Sequence, residues 1–375
     1  MSEAMDLYTH LIQAATLQRI GNVDIVAFDR RDNHKRFPSE DRYYTEDWKL
    51  LNGIWKLAIV LDGHGGTATV DFVLERLPSM LKLALESALQ KGSATVDDAT
   101  LTNMMSKTLI DIEEEIKNDL LSLIPTDPDA LAKFDAAAAL QDSPGNLNVK
   151  LKRVLSGTTA MVALIDPDKR VHIASVGDCD AFLCFLAEDG SWDSRHMGFA
   201  HRCTNSAEKA RILAEHPGEP DCISSWGVPR LLGLHTLSRA IGNTYFNLPV
   251  NVIQVIGAGR GEDFEQSFLD LVKTPPYLSN VPEVAHDHID TQKFLVLASD
   301  GLETVVRRKL PSDPVSIGKL CGAAATKGQT AGRNLAGEIL FEAMGGDSEG
   351  NIVVPAIEGK LKGRLDDATI LVISL

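Results

Sequence analysis

The sequence predicts an α+β protein in which helices cover antiparallel sheets. Short runs of apolar or β-branched residues, typical of strands, lie on both sides of longer segments with helical periodicity. Their order is strands, helices, strands, helices and a last strand, which is typical of the α+β class. At 375 residues the chain can bury a large core, and its length alone would suggest two or three domains.

Six short segments have the composition of strands. They cover 57–61, 158–165, 171–176, 181–186, 293–298 and 369–375. Several of them end in Gly or Asp, which are typical turn residues. We therefore expect these segments to form the sheets.

Apolar residues spaced three and four apart predict helices between and after these strands. The predicted helices begin at about Thr67 and cover roughly 98–122, 206–215 and, as a pair broken near Gly328, 315–344. Pro78 lies inside the first helical pattern, where a missing N–H and a steric clash should kink or split the helix.

Two stretches lack a clean periodicity. Residues 125–148 are rich in Pro, Asp and Ala, which predicts a mobile insertion. Outside its one helix, the segment from about 187 to 236 is irregular and is expected to form a flap-like region. No internal repeat is present.

The composition is that of a soluble globular protein, with 44% hydrophobic and 24% charged residues. The formal net charge of −15 would oppose binding to a nucleic acid, so we expect no nucleic-acid partner. No apolar run approaches the roughly 18 residues needed to cross a bilayer, so no membrane span is expected.

Cysteine usage and the N-terminus bear on the compartment. The five cysteines are odd in number and include no CxxC pair, which indicates reduced thiols in an intracellular protein, with neither a disulfide framework nor a zinc site. The N-terminus has no secretory signal, and Glu3 and Asp6 precede the first basic residue, Arg19, which argues against a mitochondrial presequence. We expect a cytoplasmic protein; the alternative is the mitochondrial matrix, if a presequence has been removed.

Four aspartates lie where a predicted strand meets a loop. Asp62 and Asp300 follow strands, Asp366 precedes one, and Asp178 lies between two. Their side chains can converge at one rim of the sheets and supply the oxygen ligands that Mg²⁺ and Mn²⁺ prefer. Because Asp-Gly after a strand is also a common turn, the pattern alone leaves a turn and a metal site about equally favoured.

Seven motifs occur in a characteristic order. They are "EDR" (40–42), "LDGHGG" (61–66), "SGTTA" (156–160), "VGDCDAF" (176–182), "LSRAIGN" (237–243), "LASDGLET" (297–304) and "DDATILVI" (366–373). Together they resemble the motifs of the metal-dependent serine/threonine protein phosphatases of type 2C. The stretches at 230–243 and 273–284 resemble the pyruvate dehydrogenase phosphatase branch of that family.

The resemblance implies a four-layer α-β-β-α sandwich, with two antiparallel sheets flanked by helix pairs. It also implies a single catalytic domain over 1–375, because Glu40 and Asp366 must meet at the same metals. The implied reaction is hydrolysis of phosphoserine and phosphothreonine in proteins by a water that bridges two Mg²⁺ or Mn²⁺ ions. A monomer is expected.

The resemblance also assigns roles to individual positions. Asp62 matches the carboxylate that bridges both metals, Asp300 and Asp366 match ligands of the first metal, and Asp178 matches a ligand of a third, weaker metal. The remaining metal-site residues that it implies are Glu40, Asp41 and the Gly63 carbonyl.

Two further residues match catalytic positions of the family. His64 matches the general acid that protonates the leaving serine or threonine oxygen. Arg36 matches the arginine that binds the phosphate, a task suited to its forked guanidinium.

The motifs depart from the family pattern at three places. Asp367 stands where asparagine is usual, Asn243 where aspartate is usual, and Cys179-Asp180 where Ser-Arg is usual. None of these changes removes a principal metal ligand. An active phosphatase is therefore favoured over the alternative, a catalytically weak or inactive pseudo-phosphatase that acts as a binding scaffold.

Overall fold

The computed structural model describes residues 6–32, 34–90, 95–224, 227–308, 311, 313–348, 351–361 and 365–375. Its strands in chain order are β1 (Thr16–Ile20), β2 (Val23–Phe28), β3 (Arg31–Asp32), β4 (Lys35–Arg36), β5 (Arg42–Leu50), β6 (Gly53–Leu61), β7 (Gly63–His64), β8 (Gln141–Ser143), β9 (Asn146–Leu147), β10 (Gly157–Thr158), β11 (Ala160–Ile165), β12 (Arg170–Val176), β13 (Asp180–Leu186), β14 (Trp192–His196), β15 (Ile241–Gly242), β16 (Glu283–His288), β17 (Gln292–Ala298) and β18 (Ala368–Ser374).

The helices flank these strands in sequence and in space. In chain order they are α1 (Leu7–Ala14), α2 (Ala68–Gln90), α3 (Asp98–Leu121), α4 (Pro128–Leu131), α5 (Ala136–Leu140), α6 (Val149–Leu155), α7 (Ser206–Glu215), α8 (Val250–Arg260), α9 (Gln266–Leu269), α10 (Gly301–Val306), α11 (Pro314–Ala331), α12 (Leu335–Ala343) and α13 (Val353–Ile357). Short 3-10 helices cover Pro220–Cys222 and Thr244–Asn247.

Two large antiparallel sheets organise the described part of the chain. One has the strand order β1-β2-β18-β17-β13-β14, and the other has the order β16-β12-β11-β6-β5. A small third sheet, in the order β15-β10-β7, lies beyond the end of β6. The connection from β12 to β13 passes from one large sheet to the other, so both sheets contribute loops to the same end.

Alternating residues along β6 show how the layers form. Ala58 and Val60 belong to the apolar cluster between the two sheets. Leu57 and Ile59 point the other way, into the cluster that includes the apolar stripes of α2 and α3. Because side chains alternate across a strand, a fully apolar strand buries both faces.

The strand β18 repeats this arrangement in the other sheet. Leu371 and Ile373 lie in the cluster between the sheets, whereas Ile370 and Val372 pack in the cluster that includes α11 and α12. Three apolar clusters therefore separate four layers in the order helices, sheet, sheet, helices. This confirms the predicted α+β sandwich.

All six predicted strands are present, with ends shifted by a few residues, and the segment 158–165 is divided between β10 and β11. The expected split at Pro78 does not occur, because α2 runs through that residue, and the alternative of a kink stays a prediction. Leu77 and Leu81 pack in one core, and this burial outweighs the lost backbone hydrogen bond.

The predicted break near Gly328 is also misplaced. The helix α11 ends at Gly332, which takes the left-handed conformation of a helix C-terminus, with φ +65°. Gly328 instead lies inside the helix, where a Cβ atom would come within 3.0 Å of Glu338 Cβ. Its glycine thus allows close packing of α11 and α12.

The segment 125–148 contains α4, α5 and the hairpin β8–β9. Leu140 is fully buried and packs against Gly259 of α8. The expected mobility of the segment stays a prediction.

The segment 187–236, which is expected to be flap-like, contains β14 and α7. Among the described residues, no helix has the length and apolar content to cross a bilayer.

Candidate metal centre

Carboxylates from both sheets meet at one end of the sandwich. Asp62 follows β6, Asp178 lies in the connection between β12 and β13, and Asp300 begins the turn after β17. One oxygen from each of these three residues lies within 4.8 Å of the others. The strand ends thus place side chains that are more than two hundred residues apart in one cluster.

A cavity of about 300 Å³ lies over this cluster. Its described lining residues are Asp62, His64, Thr159, Asp178, Arg230, Leu234, His235, Thr236, Leu237, Asp300 and Asp366. The four aspartates predicted from the strand ends are therefore all part of one wall.

The acid cluster is electrostatically unfavourable without a cation. Burial raises the pKa of Asp62 well above its usual value, and the nearby carboxylates of Asp41 and Asp300 raise it further. Burial also raises the pKa of Asp41 to about 7 and that of Asp300 to about 8. Clustered carboxylate oxygens of this kind match the preferences of Mg²⁺ and Mn²⁺, so the donor set fits the implied metals.

We expect the stability of the chelator-treated protein to fall as the pH rises from 5.5 to 8.5. Because Asp41 and Asp300 have raised pKa values in the folded state, their stabilising contribution is complete below the unfolded pKa of about 4 and is lost as pH passes through about 7 and 8. The free energy of unfolding should fall by up to about 1.4 kcal/mol per pH unit for each group.

Urea denaturation with EDTA and with saturating Mn²⁺ would measure this effect. Mn²⁺ should reduce the fall, since the cation stabilises the charged carboxylates. Burial also raises the pKa of Glu113 to about 7, but this group contributes in both conditions and cancels in the difference. Equal pH dependence with and without Mn²⁺ would count against a cation among these carboxylates.

Glu40 is held beside the cluster by backbone groups. Its Oε1 accepts a hydrogen bond of 2.6 Å from the Gly66 N–H. Its own N–H donates to Asp367 Oδ2 at 3.1 Å, and the Arg30 N–H donates to Asp367 Oδ1 at 2.7 Å. Asp367 thus uses both oxygens to hold the loop that carries Glu40, which an asparagine with a single acceptor oxygen would do less well.

The glycines that follow Asp62 and Asp300 allow the acidic loops to approach one another. A Cβ atom on Gly63 would lie 2.5 Å from the Glu40 carbonyl oxygen, and one on Gly301 would lie 1.8 Å from the Asp367 carbonyl oxygen. Both Asp-Gly pairs therefore join a carboxylate to a close backbone contact between loops that are far apart in the chain. The close contact between loops, and not the formation of a simple turn, therefore explains why glycine follows each aspartate.

We expect Gly301→Ala to lower the free energy of unfolding by about 1–3 kcal/mol or more, because the added methyl group overlaps a backbone atom that cannot move freely. Gly257→Ala in α8 is the matched control, since its Cβ would meet its nearest atom at 3.3 Å. Urea denaturation measures both. A Gly301→Ala protein as stable as the control would show that the loops are not in close contact.

His64 lies at the edge of the cavity in a network that reasoning from the sequence did not identify. Its Nε2 is 2.6 Å from Asn243 Oδ1 and 3.1 Å from His235 Nε2. The Leu237 N–H donates to His235 Nδ1, so His235 carries its proton on Nε2, 3.2 Å from Asn243 Oδ1. Burial lowers the pKa of His64 and lowers that of His235 to about 3.

Arg202 supplies a cation within the acid cluster. Its Nε donates to Asp178 Oδ2 at 2.6 Å, and its Nη2 lies 2.8 Å from Glu303 and 3.7 Å from Asp300. Burial lowers its pKa, but the carboxylates, Asp178 foremost, outweigh this effect and raise the pKa overall. A third metal at Asp178 would therefore have to share that carboxylate with a guanidinium.

We expect Arg202→Gln to lower the free energy of unfolding by about 2–3 kcal/mol in EDTA, because it leaves partly buried carboxylates without a counter-charge. The loss should be smaller in Mn²⁺, which can replace the guanidinium. Arg307→Gln, a more exposed partner of Glu303, is the control and should cost under about 1 kcal/mol. If Arg202→Gln lost the same free energy of unfolding in EDTA and in Mn²⁺, this would contradict the inference that Mn²⁺ and the guanidinium neutralise the same carboxylates.

Four predicted residues are not among the described residues that line the cavity, namely Arg36, Glu40, Asp41 and Gly63. Glu40 and Gly63 lie in the contacting loops described above, and their metal-binding roles stay predictions. Arg36 is exposed, and its guanidinium is paired with Asp29. Asp41 is buried, and its Oδ2 accepts a hydrogen bond of 2.7 Å from the Ser299 hydroxyl. The phosphate-binding role of Arg36 and the metal-binding role of Asp41 stay predictions.

These features define an α-β-β-α sandwich with a carboxylate-rich candidate metal centre where loops of both sheets meet. The sequence profile described as "Protein phosphatase 2C" matches residues 29–313, which is most of the chain. The chain therefore belongs to the protein phosphatase 2C family.

Individual relatives agree with this assignment. The human mitochondrial pyruvate dehydrogenase phosphatase 1 is 29% identical over 323 residues, which cover 76% of this chain and 59% of that protein. A protein phosphatase 2C homolog of Schizosaccharomyces pombe is 27% identical over 269 residues, covering 70% and 56%. This chain thus spans less than two thirds of the length of these relatives.

Solved structures show the same fold. The crystal structure of serine-threonine phosphatase 2C from Toxoplasma gondii matches with a TM-score of 0.57 and 14% identity, and the match covers 96% of each chain. At this identity the match supports the fold alone.

Proposed function

We propose that this chain hydrolyses phosphoserine and phosphothreonine in proteins with the help of two divalent cations, Mg²⁺ or Mn²⁺. The observation that carries the proposal is the convergence of Asp62, Asp178 and Asp300 in one cavity that also contains His64. Membership of the protein phosphatase 2C family supports the same reaction.

The cations would be held by carboxylates of four separate loops. Asp62 would contact both cations together with the neighbouring Gly63 carbonyl, Asp300 and Asp366 would hold one cation, and Glu40 would hold the other. When bound, two cations lower the pKa of a shared water and offset the charge of the phosphoryl group. Arg202 already neutralises part of the charge on Asp178, so a third ion there would compete with the guanidinium for this carboxylate.

His64 would donate a proton to the leaving serine or threonine oxygen. An alkoxide is a poor leaving group, so a positioned acid increases the rate. The hydrogen bond to Asn243 Oδ1 and the contact with His235 fix the imidazole at the cavity wall. A neutral asparagine stabilises the imidazolium less than an aspartate would, so a smaller fraction of His64 is charged at neutral pH.

Two arginines are candidates for binding the phosphate oxygens. Arg36 follows from the family resemblance, whereas Arg230 lines the cavity. The Nη1 of Arg230 donates to the Leu234 carbonyl at 2.7 Å, which holds the side chain along the cavity wall. Comparison of Arg36→Ala with Arg230→Ala on a small phosphomonoester separates them, since the phosphate-binding residue should show the larger rise in KM.

A phosphopeptide assay tests the proposed function. We expect phosphate release in Mn²⁺ or Mg²⁺ and none in EDTA, and we expect Asp366→Asn to lose activity. Asp168→Asn is the control, because this exposed residue lies in the turn between β11 and β12, away from the candidate metal centre. Undiminished activity in EDTA would refute the metal assignment, and Mn²⁺ binding without turnover would support the inactive scaffold instead.

The physiological substrate and compartment form the finer part of the proposal. The names of the relatives include pyruvate dehydrogenase phosphatase and the word mitochondrial. These names support a phosphoserine of pyruvate dehydrogenase as substrate, and they support the mitochondrial matrix over the expected cytoplasm. We propose a monomer as the active form.

A further inference from the structure

A second cluster of metal-ligating side chains lies far from the candidate metal centre. His172 on β12 and His286 on β16 face each other in register, and Asp98 begins α3 beside them. One ligand atom from each of the three lies within 4.8 Å of the others. His172 precedes Asp178 by six residues along an extended strand, so the two clusters are roughly 20 Å apart.

The two imidazoles direct the same nitrogen toward each other. Their Nδ1 atoms form a hydrogen bond of 2.8 Å, in which one ring donates and the other accepts. On the opposite sides of the rings, His286 Nε2 is 2.8 Å from Thr102 Oγ1, and His172 Nε2 is 3.6 Å from Asp166 Oδ2. A partner on the outer nitrogen, such as Thr102 for His286, orients the ring of a metal-bound histidine. A cation between the rings would replace the proton that the two Nδ1 atoms share.

The third ligand leaves the cluster open to solvent. The Asp98 side chain is 54% exposed, whereas His172 is fully buried. Arg170 donates to Asp98 Oδ1 at 2.9 Å, so Oδ2 is the oxygen left for a cation.

We propose that His172, His286 and Asp98 form a Zn²⁺ site that ties the start of α3 to the edge of the five-stranded sheet. Two imidazole nitrogens and a carboxylate are a typical donor set for Zn²⁺, and a water completes the four ligands on the open side. Two nitrogens on one tetrahedral Zn²⁺ lie farther apart than 2.8 Å, so binding separates the rings slightly. The cysteine pattern predicts no zinc site. The site proposed here contains no cysteine, so it differs from that expectation without involving the thiols.

Zinc titration of the full chain tests the proposal. The protein is stripped with a chelator, supplied with excess Mg²⁺ to fill the oxygen-rich centre, and titrated with Zn²⁺ against a chromophoric chelator. We expect His286→Gln to bind one Zn²⁺ fewer per chain, or to bind it at least about tenfold more weakly. His288→Gln is the matched control, because His288 is an exposed histidine on the same strand, and it should bind like the wild type.

Asp98→Asn provides a second variant at an exposed position where folding is not at risk. It should also weaken Zn²⁺ binding, and Zn²⁺ should raise the Tm of the wild type but not that of His286→Gln. Identical Zn²⁺ stoichiometry and affinity in the wild type, His286→Gln and Asp98→Asn would overturn the proposal. Because phosphatase activity is not the readout, this result is independent of the proposed function.

Discussion

Asp62→Asn is expected to lower phosphatase activity in Mn²⁺ by at least about 10³-fold. The carboxylate lies at the centre of the acid cluster and is the one that would contact both cations. Its loss removes several kcal/mol of transition-state stabilisation, and each 1.4 kcal/mol corresponds to about a tenfold change in rate. Initial rates on a phosphoserine peptide, with Asp168→Asn as the control, measure the effect.

The same substitution should stabilise the metal-free protein. Asp62 is crowded by other carboxylates, and its charged form is disfavoured by burial. An uncharged amide removes this repulsion, so the Tm of the variant in EDTA at pH 8 should be higher than that of the wild type. Added Mn²⁺ should raise the Tm of the variant by less than it raises the Tm of the wild type. An Asp62→Asn protein that is less stable in EDTA, or nearly as active as the control, would contradict a metal-bridging role.

His64→Gln should produce a loss of rate that depends on the leaving group. With a phosphoserine peptide we expect kcat to fall by about 10²–10⁴-fold, because the serine alkoxide requires a proton as it leaves. With p-nitrophenyl phosphate the fall should be small, because the nitrophenolate leaves without protonation. The ratio of the two effects distinguishes a general acid from a residue that only shapes the cavity.

Two neighbours of His64 provide matched variants. Asn243→Asp should raise the pKa of His64, since a carboxylate stabilises the imidazolium, and should move the alkaline limb of the rate profile to higher pH. His235→Leu removes a contact with His64 Nε2 and should reduce the peptide rate by less than His64→Gln. Equal losses with both substrates in His64→Gln would reject the acid role.

The strands that the sequence predicts bury both faces, although β2, which also buries both faces, is not predicted. In β6 and β18 nearly every residue is apolar because each strand packs against the other sheet on one side and against helices on the other. The edge strands β5 and β16 escape prediction, since "RYYTEDWKL" and "EVAHDH" carry many polar and charged residues. An edge strand has only one neighbour and is only partly buried, so its pattern resembles a loop.

Asp62, Asp178, Asp300 and Asp366 are predictable because each lies next to a recognisable strand. Loop contacts are not predictable in this way. His235 lies 171 residues from His64 in the chain, and Arg202 reaches Asp300 from a segment without regular pattern.

Crystals of the wild-type protein soaked in Mn²⁺, with anomalous diffraction recorded at the manganese absorption edge, would locate the cations directly. We expect two anomalous peaks in contact with the Asp62 carboxylate, one of them also bound by Asp300 and Asp366. Strong peaks elsewhere, with none against Asp62, would show that these carboxylates do not hold the catalytic cations.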